Sequence, residues 1–161
     1  MVKLIALSVL VLVGCGPSVA EIKTAKATTY VGDAVEIAQA AQLVVAETYK
    51  VDEVGRTDEA FRIITAEQWY SPEGGRQSAG ADDFVQLVDR SVMLQMIVDI
   101  VPTAENHAVI QVTPRTMQHI SGSPKPRELA ADDPNLPGWV TGRVDQLHHD
   151  IYKGLQKYVV K

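Results

Sequence analysis

SVMLQMIVDIVPTAENHAVIQVTPRTM, residues 91–117, is the stretch whose reading decides the fold. In Ser91–Val101, the residues Val92, Leu94, Met96, Val98 and Ile100 recur at every second position, the period of a strand with one buried face. The opposite face carries Gln95 and Asp99, softened by Met93, Ile97 and Val101. Pro102–Asn106 is rich in turn formers, and His107–Met117 runs back with Ala108, Ile110 and Val112 inward. Two alternating runs joined by a short turn predict an antiparallel hairpin. Pro114, near the end of the second run, has no N–H to give a central ladder and suits an edge or a strand end.

Upstream, Phe61–Tyr70 alternates β-branched and aromatic residues and predicts a further strand, with Phe61, Ile63, Thr65, Glu67 and Trp69 on one face. The cluster Ser71-Pro72-Glu73-Gly74-Gly75 ends it. Val51–Arg56 reads as a short extended piece, Phe84–Val88 as another short strand, and the polar segment through Gly80 and Asp82-Asp83 as a loop. A helix is expected over Asp33–Tyr49, with Asp33 as N-cap and Glu36 three residues on. Its apolar side is Ala34, Ile37, Ala38, Ala41, Val44 and Val45 at three- and four-residue spacing. A closing helix runs from Trp139 or Thr141 toward Val159, striped by Val140, Val144, Leu147, Ile151 and Leu155. Between hairpin and helix, Ser121–Gly138 contains Pro124, Pro126, Pro134 and Pro137, a composition that breaks regular structure. The expectation is an α+β fold: a two-layer sandwich in which an antiparallel sheet of three to four strands carries the N-terminal and C-terminal helices on one face.

The N-terminus has a different character. Lys3 precedes ten residues, Leu4–Val13, without a charge, and this basic start with a short apolar run is a signal-peptide pattern. Ten helical residues reach about 15 Å, half of a hydrocarbon layer, so the run is too short to span a membrane permanently. Cys15 is the one cysteine in the chain and cannot form an internal disulfide. The tetrapeptide Leu12-Val13-Gly14-Cys15 resembles the lipobox of bacterial lipoproteins. That resemblance implies cleavage between Gly14 and Cys15, a diacylglycerol thioether on Cys15, and acylation of the new amino group. Several acyl chains together make a durable anchor where one is marginal. Gly16 stands where an Asp marks inner-membrane retention in such lipoproteins, so the resemblance implies the periplasmic face of the outer membrane, with the inner membrane second. The domain scheme is a signal peptide at 1–14, a lipidated N-terminus and tether at 15–32, and a single domain at 33–161. The order of elements in that domain is similar to the helix-grip modules of outer-membrane assembly lipoproteins, which carry two such modules where this chain has length for one.

Composition fits a globular domain: 46% hydrophobic and 22% charged residues, with a net charge of −5. A mildly acidic chain lacks the electrostatic footprint of nucleic-acid binding. His149 and Asp145, four apart on one helix face, are two ligands in search of a third, and adjacent His148 and His149 diverge by about 100°. Ser121-Gly122-Ser123 lacks the strand–turn–helix setting of a nucleophile elbow, and Asp82-Asp83 and Asp132-Asp133 sit in loops among polar neighbours, where a solvated or capping role is expected and not acid–base work. No catalytic residue, metal or cofactor is therefore assigned. Trp69, Tyr70 and Trp139 end elements beside Gly- and Pro-rich loops, where aromatics anchor partners when they do not plug a core. The expectation is a non-catalytic binding or scaffold lipoprotein of the cell envelope, held by the membrane through Cys15 and by a protein partner. The alternative is a small-ligand or lipid carrier using a cleft between helices and sheet.

Overall fold

The computed structural model describes residues 16–77 and 87–160. The signal-peptide region, Cys15, Asp82-Asp83 and the larger part of the Phe84–Val88 segment lie outside the described residues, and Leu87 and Val88 belong to no strand. The elements in chain order are α1 (Val19–Ala27), β1 (Thr29–Val31), α2 (Ala34–Thr48), β2 (Val51–Arg56), β3 (Phe61–Thr65), β4 (Gln68–Tyr70), β5 (Arg76–Gln77), β6 (Val92–Ala104), β7 (His107–Gln118), β8 (Arg127–Leu129) and α3 (Gly138–Gly154). A single turn of 3₁₀ helix, Gln156–Tyr158, follows α3.

The fold is α+β, with an open antiparallel sheet of eight strands where the sequence pattern predicts three to four. The eight strands occupy five lanes. The β6–β7 hairpin is the middle of the sheet, pairing from Val92↔Gln118 to Ala104↔His107. Both β3 and β4 run along the other side of β6, one after the other. The outer lanes are short pieces: β2 and β5 beyond β3 and β4, and β1 and β8 at opposite ends of β7. The hairpin turn is tighter than Pro102–Asn106. The strand continues to Ala104 with a register shift after Pro102, and Asn106 takes φ +57°, a left-handed conformation that Asn tolerates well.

Residues 16–32 are not a tether. Ser18 caps α1 reciprocally with Glu21: Glu21 N–H donates to Ser18 Oγ at 3.3 Å, and Ser18 N–H donates to Glu21 Oε2 at 2.8 Å. The strand β1 then pairs with β7, and the Tyr30 ring is 1% exposed in the main core. Ser121–Gly138 is likewise not wholly irregular, because β8 pairs with the end of β7 and Leu129 is buried.

Two helices and one sheet face make the core. Asp33 caps α2 by accepting from Val35 N–H and Glu36 N–H at 2.8 and 3.2 Å. Ile37, Ala38, Ala41 and Val45 from α2, with Val140, Val144, Leu147 and Ile151 from α3, pack on Ile63, Val92, Leu94, Met96, Val98, Ile100, Ala108, Ile110 and Val112. Helix α3 stops at Gly154, earlier than its apolar stripe suggests, and Leu155 enters the core from the cap position. A Cβ on Gly154 would come within 2.4 Å of Val44 Cγ2, so this glycine is the close-approach point of α2 and α3.

The predicted strand Phe61–Tyr70 is broken by one extra residue. Ile64 pairs with Ile97 but Gln68 pairs with Leu94, a register offset of one between β3 and β4. Because side chains alternate with period two, an offset of one exchanges the faces. Tyr70, opposite Val92, therefore enters the core, and Trp69, opposite Met93, goes to the far face, the reverse of the uninterrupted pattern. Thr65 splices the ladder at the break. Its Oγ1 accepts from Met96 N–H at 2.9 Å and its carbonyl accepts from Gln95 Nε2 at 3.0 Å, with Thr65 only 1% exposed. Thr65→Val keeps the shape but leaves the Met96 N–H buried without a partner, an expected cost of about 1–3 kcal/mol in urea unfolding. Thr65→Ser keeps the acceptor and is expected to lose only about 1 kcal/mol, for the missing methyl. Equal losses in the two variants would remove the splice from the account.

Candidate functional site

Of the three aromatics singled out in the sequence, the structure brings two together. Helix α3 begins at Gly138 with Pro137 as cap, which places Trp139 in its first turn beside the end of β4. The Tyr70 and Trp139 rings lie 5.1 Å apart between centroids, tilted by 48°. One turn further on, Arg143 lays its guanidinium 4.5 Å from the Tyr70 centroid and 5.4 Å from that of Trp139. Both α3 residues also hold the Ser71–Gly75 turn: Trp139 Nε1 donates to the Pro72 carbonyl at 2.9 Å, and Arg143 donates to the Gly74 carbonyl at 3.0 Å. Gly74 is required there on two counts. Its φ is +91°, and a Cβ would meet Trp139 Cγ at 3.0 Å. Tyr70 is 1% exposed, so it supports this corner and does not face a partner.

Beside the cluster, where α2 ends and the β3–β4 break begins, a cleft of about 220 Å³ is lined by Tyr49, Lys50, Ala66, Glu67, Gln68, Tyr70 and Arg76. Its frame is fixed by Ala66 N–H donating to the Lys50 carbonyl at 2.8 Å and by Arg76 donating to the Thr48 carbonyl at 3.1 Å. Burial pushes the Tyr49 hydroxyl pKa up, while the charge and hydrogen bonding of Arg143 and the charge of Arg76 pull against that rise. Arg143, Tyr49, Lys50 and Arg76 were not singled out in the sequence, because three basic residues and a tyrosine spread over three separate segments carry no local pattern.

Trp69 stands on the opposite face of the sheet, half-buried, in a cross-strand row with Met117 and with Met93, which is 1% exposed. Further along that face come Ile64 beside Ile97, then Arg62 bidentate on Asp99 at 2.7 and 2.9 Å, then Val101 beside Val109. Ile64, Ile97, Val101, Val109 and Met117 are each half-buried. The residues buried from α2 and α3 belong to the other face.

His149 and Asp145 do share a face of α3, turned toward α1. The Lys26 ammonium of α1 meets Asp145 Oδ1 as an ion pair without an aligned hydrogen bond, and His149 Nδ1 is buried with no partner among the described residues. A cation between them would face the charge of Lys26. His148 is buried, its Nδ1 3.1 Å from the Val144 carbonyl, and burial pulls its pKa down. Asp133 accepts from the backbone and side-chain nitrogens of Asn135 at 2.8 and 2.9 Å, bonds that lower its pKa, so it organises its own loop. Among the described residues no three of His, Cys, Asp and Glu converge on a metal-sized site, and no helix is long and apolar enough to cross a membrane. No family model, no curated protein and no solved structure matches this chain.

Proposed function

We propose that the chain is a lipid-anchored protein of the bacterial cell envelope, held through Cys15 at the periplasmic face of the outer membrane, and that it works by binding a protein partner. The observation that supports the binding reading is the one-sidedness of the sheet: α2 and α3 build their core on one face, and the other carries Ile64, Trp69, Ile97, Val101, Val109 and Met117 half-buried, with Met93 alone among its described apolar residues fully covered. The Arg62–Asp99 pair crosses this row between Ile64–Ile97 and Val101–Val109, so the face offers apolar contact area together with a fixed pair of charges. The alternative, a lipid or small-ligand carrier, needs room between helices and sheet. That space is filled by Ile37, Val45, Val140, Leu147, Ile151 and Leu155, each at most 1% exposed. The helix-grip likeness belongs to this proposal as well, as a two-layer arrangement of the same elements in a single module.

The test is photo-crosslinking in intact cells with a crosslinking residue at Ile97, in the native chain and in a Cys15→Ser background. The expected result is a protein adduct at Ile97 in the native chain, with Cys15→Ser abolishing fatty-acid incorporation and releasing the protein from membranes. No adduct, together with lipid in the purified protein, would favour the alternative. Membrane retention of Cys15→Ser without fatty-acid labelling would end the anchor reading.

A further inference from the structure

The cleft beside Tyr70 has a charge pattern unlike that of the whole chain. The protein carries a net −5, yet Lys50 and Arg76 line this cleft and Arg143 lies behind its wall, over the Tyr70 ring. The described residues contain four ion pairs, of Lys26, Arg62, Arg115 and Arg127, and none involves these three cations. Arg76 and Arg143 spend one donor each on a neutral carbonyl, and among the described residues no carboxylate pairs with either. Glu67 is the one carboxylate lining it among the described residues, and its Oε1 lies 4.0 Å from Arg115. Two cations against one carboxylate leave the lining with a positive balance, and a concave surface focuses that potential into the cleft. Tyr49 adds a neutral hydroxyl donor on the same wall.

Size narrows the ligand. Sites for drug-sized organic molecules run from about 300 to 1,000 Å³, and this cleft holds about 220 Å³. It suits a compact multivalent anion and not an extended apolar molecule. We infer that the cleft binds a phosphate group, gripped by Lys50 and Arg76, with the Tyr49 hydroxyl donating to one of its oxygens and Arg143 reinforcing the field through the Tyr70 ring. The inference stands on these residues alone and is independent of the partner surface on the far face of the sheet. A phosphate group reaches such a cleft either as a free ion or on an anionic lipid headgroup, and both sources present the same oxygens.

The experiment is calorimetric titration of the full chain with inorganic phosphate, and separately with phosphatidylglycerol vesicles against phosphatidylcholine vesicles. Saturable binding is expected in at least one arm. Lys50→Glu and Arg76→Glu are each expected to weaken it about tenfold or more, as for loss of a charge-assisted hydrogen bond, and Tyr49→Phe to weaken it several-fold. Lys50 is exposed and makes no side-chain bond among the described residues, so Lys50→Glu tests binding without disturbing the fold even where Arg76→Glu does. Response to phosphatidylglycerol alone would assign the headgroup as the source. Binding that survives Lys50→Glu unchanged, or no binding in either arm, overturns the inference.

Discussion

Removing residues 16–32 is expected to cost the protein most of its folded stability. The segment carries α1 and β1, and Tyr30 is among the largest fully buried side chains, on a strand that pairs with the start of β7 and bridges to Val159. Truncating a buried aromatic to Ala costs about 3–5 kcal/mol, and a domain of this size has only about 5–15 kcal/mol in total. The single substitution Tyr30→Ala is therefore expected to lower stability by about 3–5 kcal/mol, and the deletion by more, since it also strips the pairing of β1 from β7. Tyr30→Phe retains the ring and is expected to stay within about 1 kcal/mol of the parent. Urea unfolding followed by circular dichroism measures all three. A deletion variant with the parent's midpoint and slope would restore the reading of this segment as a tether.

Trp139→Ala is expected to cost about 3 kcal/mol, the lower end of the range for a large aromatic because the ring is half-buried. It removes the stack on Tyr70, the support under Arg143 and the bond to the Pro72 carbonyl together. Trp139→Phe keeps the first two and drops the third, so a loss of about 1 kcal/mol is expected. The graded pair separates roles. If Trp139 were a partner's anchor, its truncation would leave stability unchanged and abolish crosslinking. The geometry predicts the reverse, with stability lost and the Ile97 adduct retained wherever the domain remains folded.

How much of this was legible follows from length scales. Thirteen residues of β6 and fifteen of α2 contain many periods of their patterns, so their existence and buried faces are readable from residue types alone. Pieces such as β5, with two residues, or β1 and β8, with three, contain no full pattern and exist because β4 or β7 offers a partner. Helix α1 hid for a different reason. Ser18-Val19-Ala20-Glu21 is a capping-box spacing, but only Ala25 is buried in the helix that follows, so no apolar stripe confirms the start. The exchange of Trp69 for Tyr70 turns on one residue between Thr65 and Gln68, set by the pairing with β6 and silent in local composition. The phosphate cleft draws on α2, the β3–β4 break, β5 and α3, four segments that only the fold brings side by side.

The lane structure of the sheet also bears on what the protein does when crowded. An exposed long strand is a template on which further strands can add, from another copy or from a misfolded chain. Among the described residues neither margin offers one. One margin is made of β2 and β5, six and two residues long, and the other of β1 and β8, three residues each. Where those two leave residues 110–115 of β7 between them, Pro114 interrupts the row of donors. An intruding strand would find a few hydrogen bonds at most before its template ended. Short margins of this kind disfavour strand addition between crowded copies, a protection carried by fragments of two to six residues.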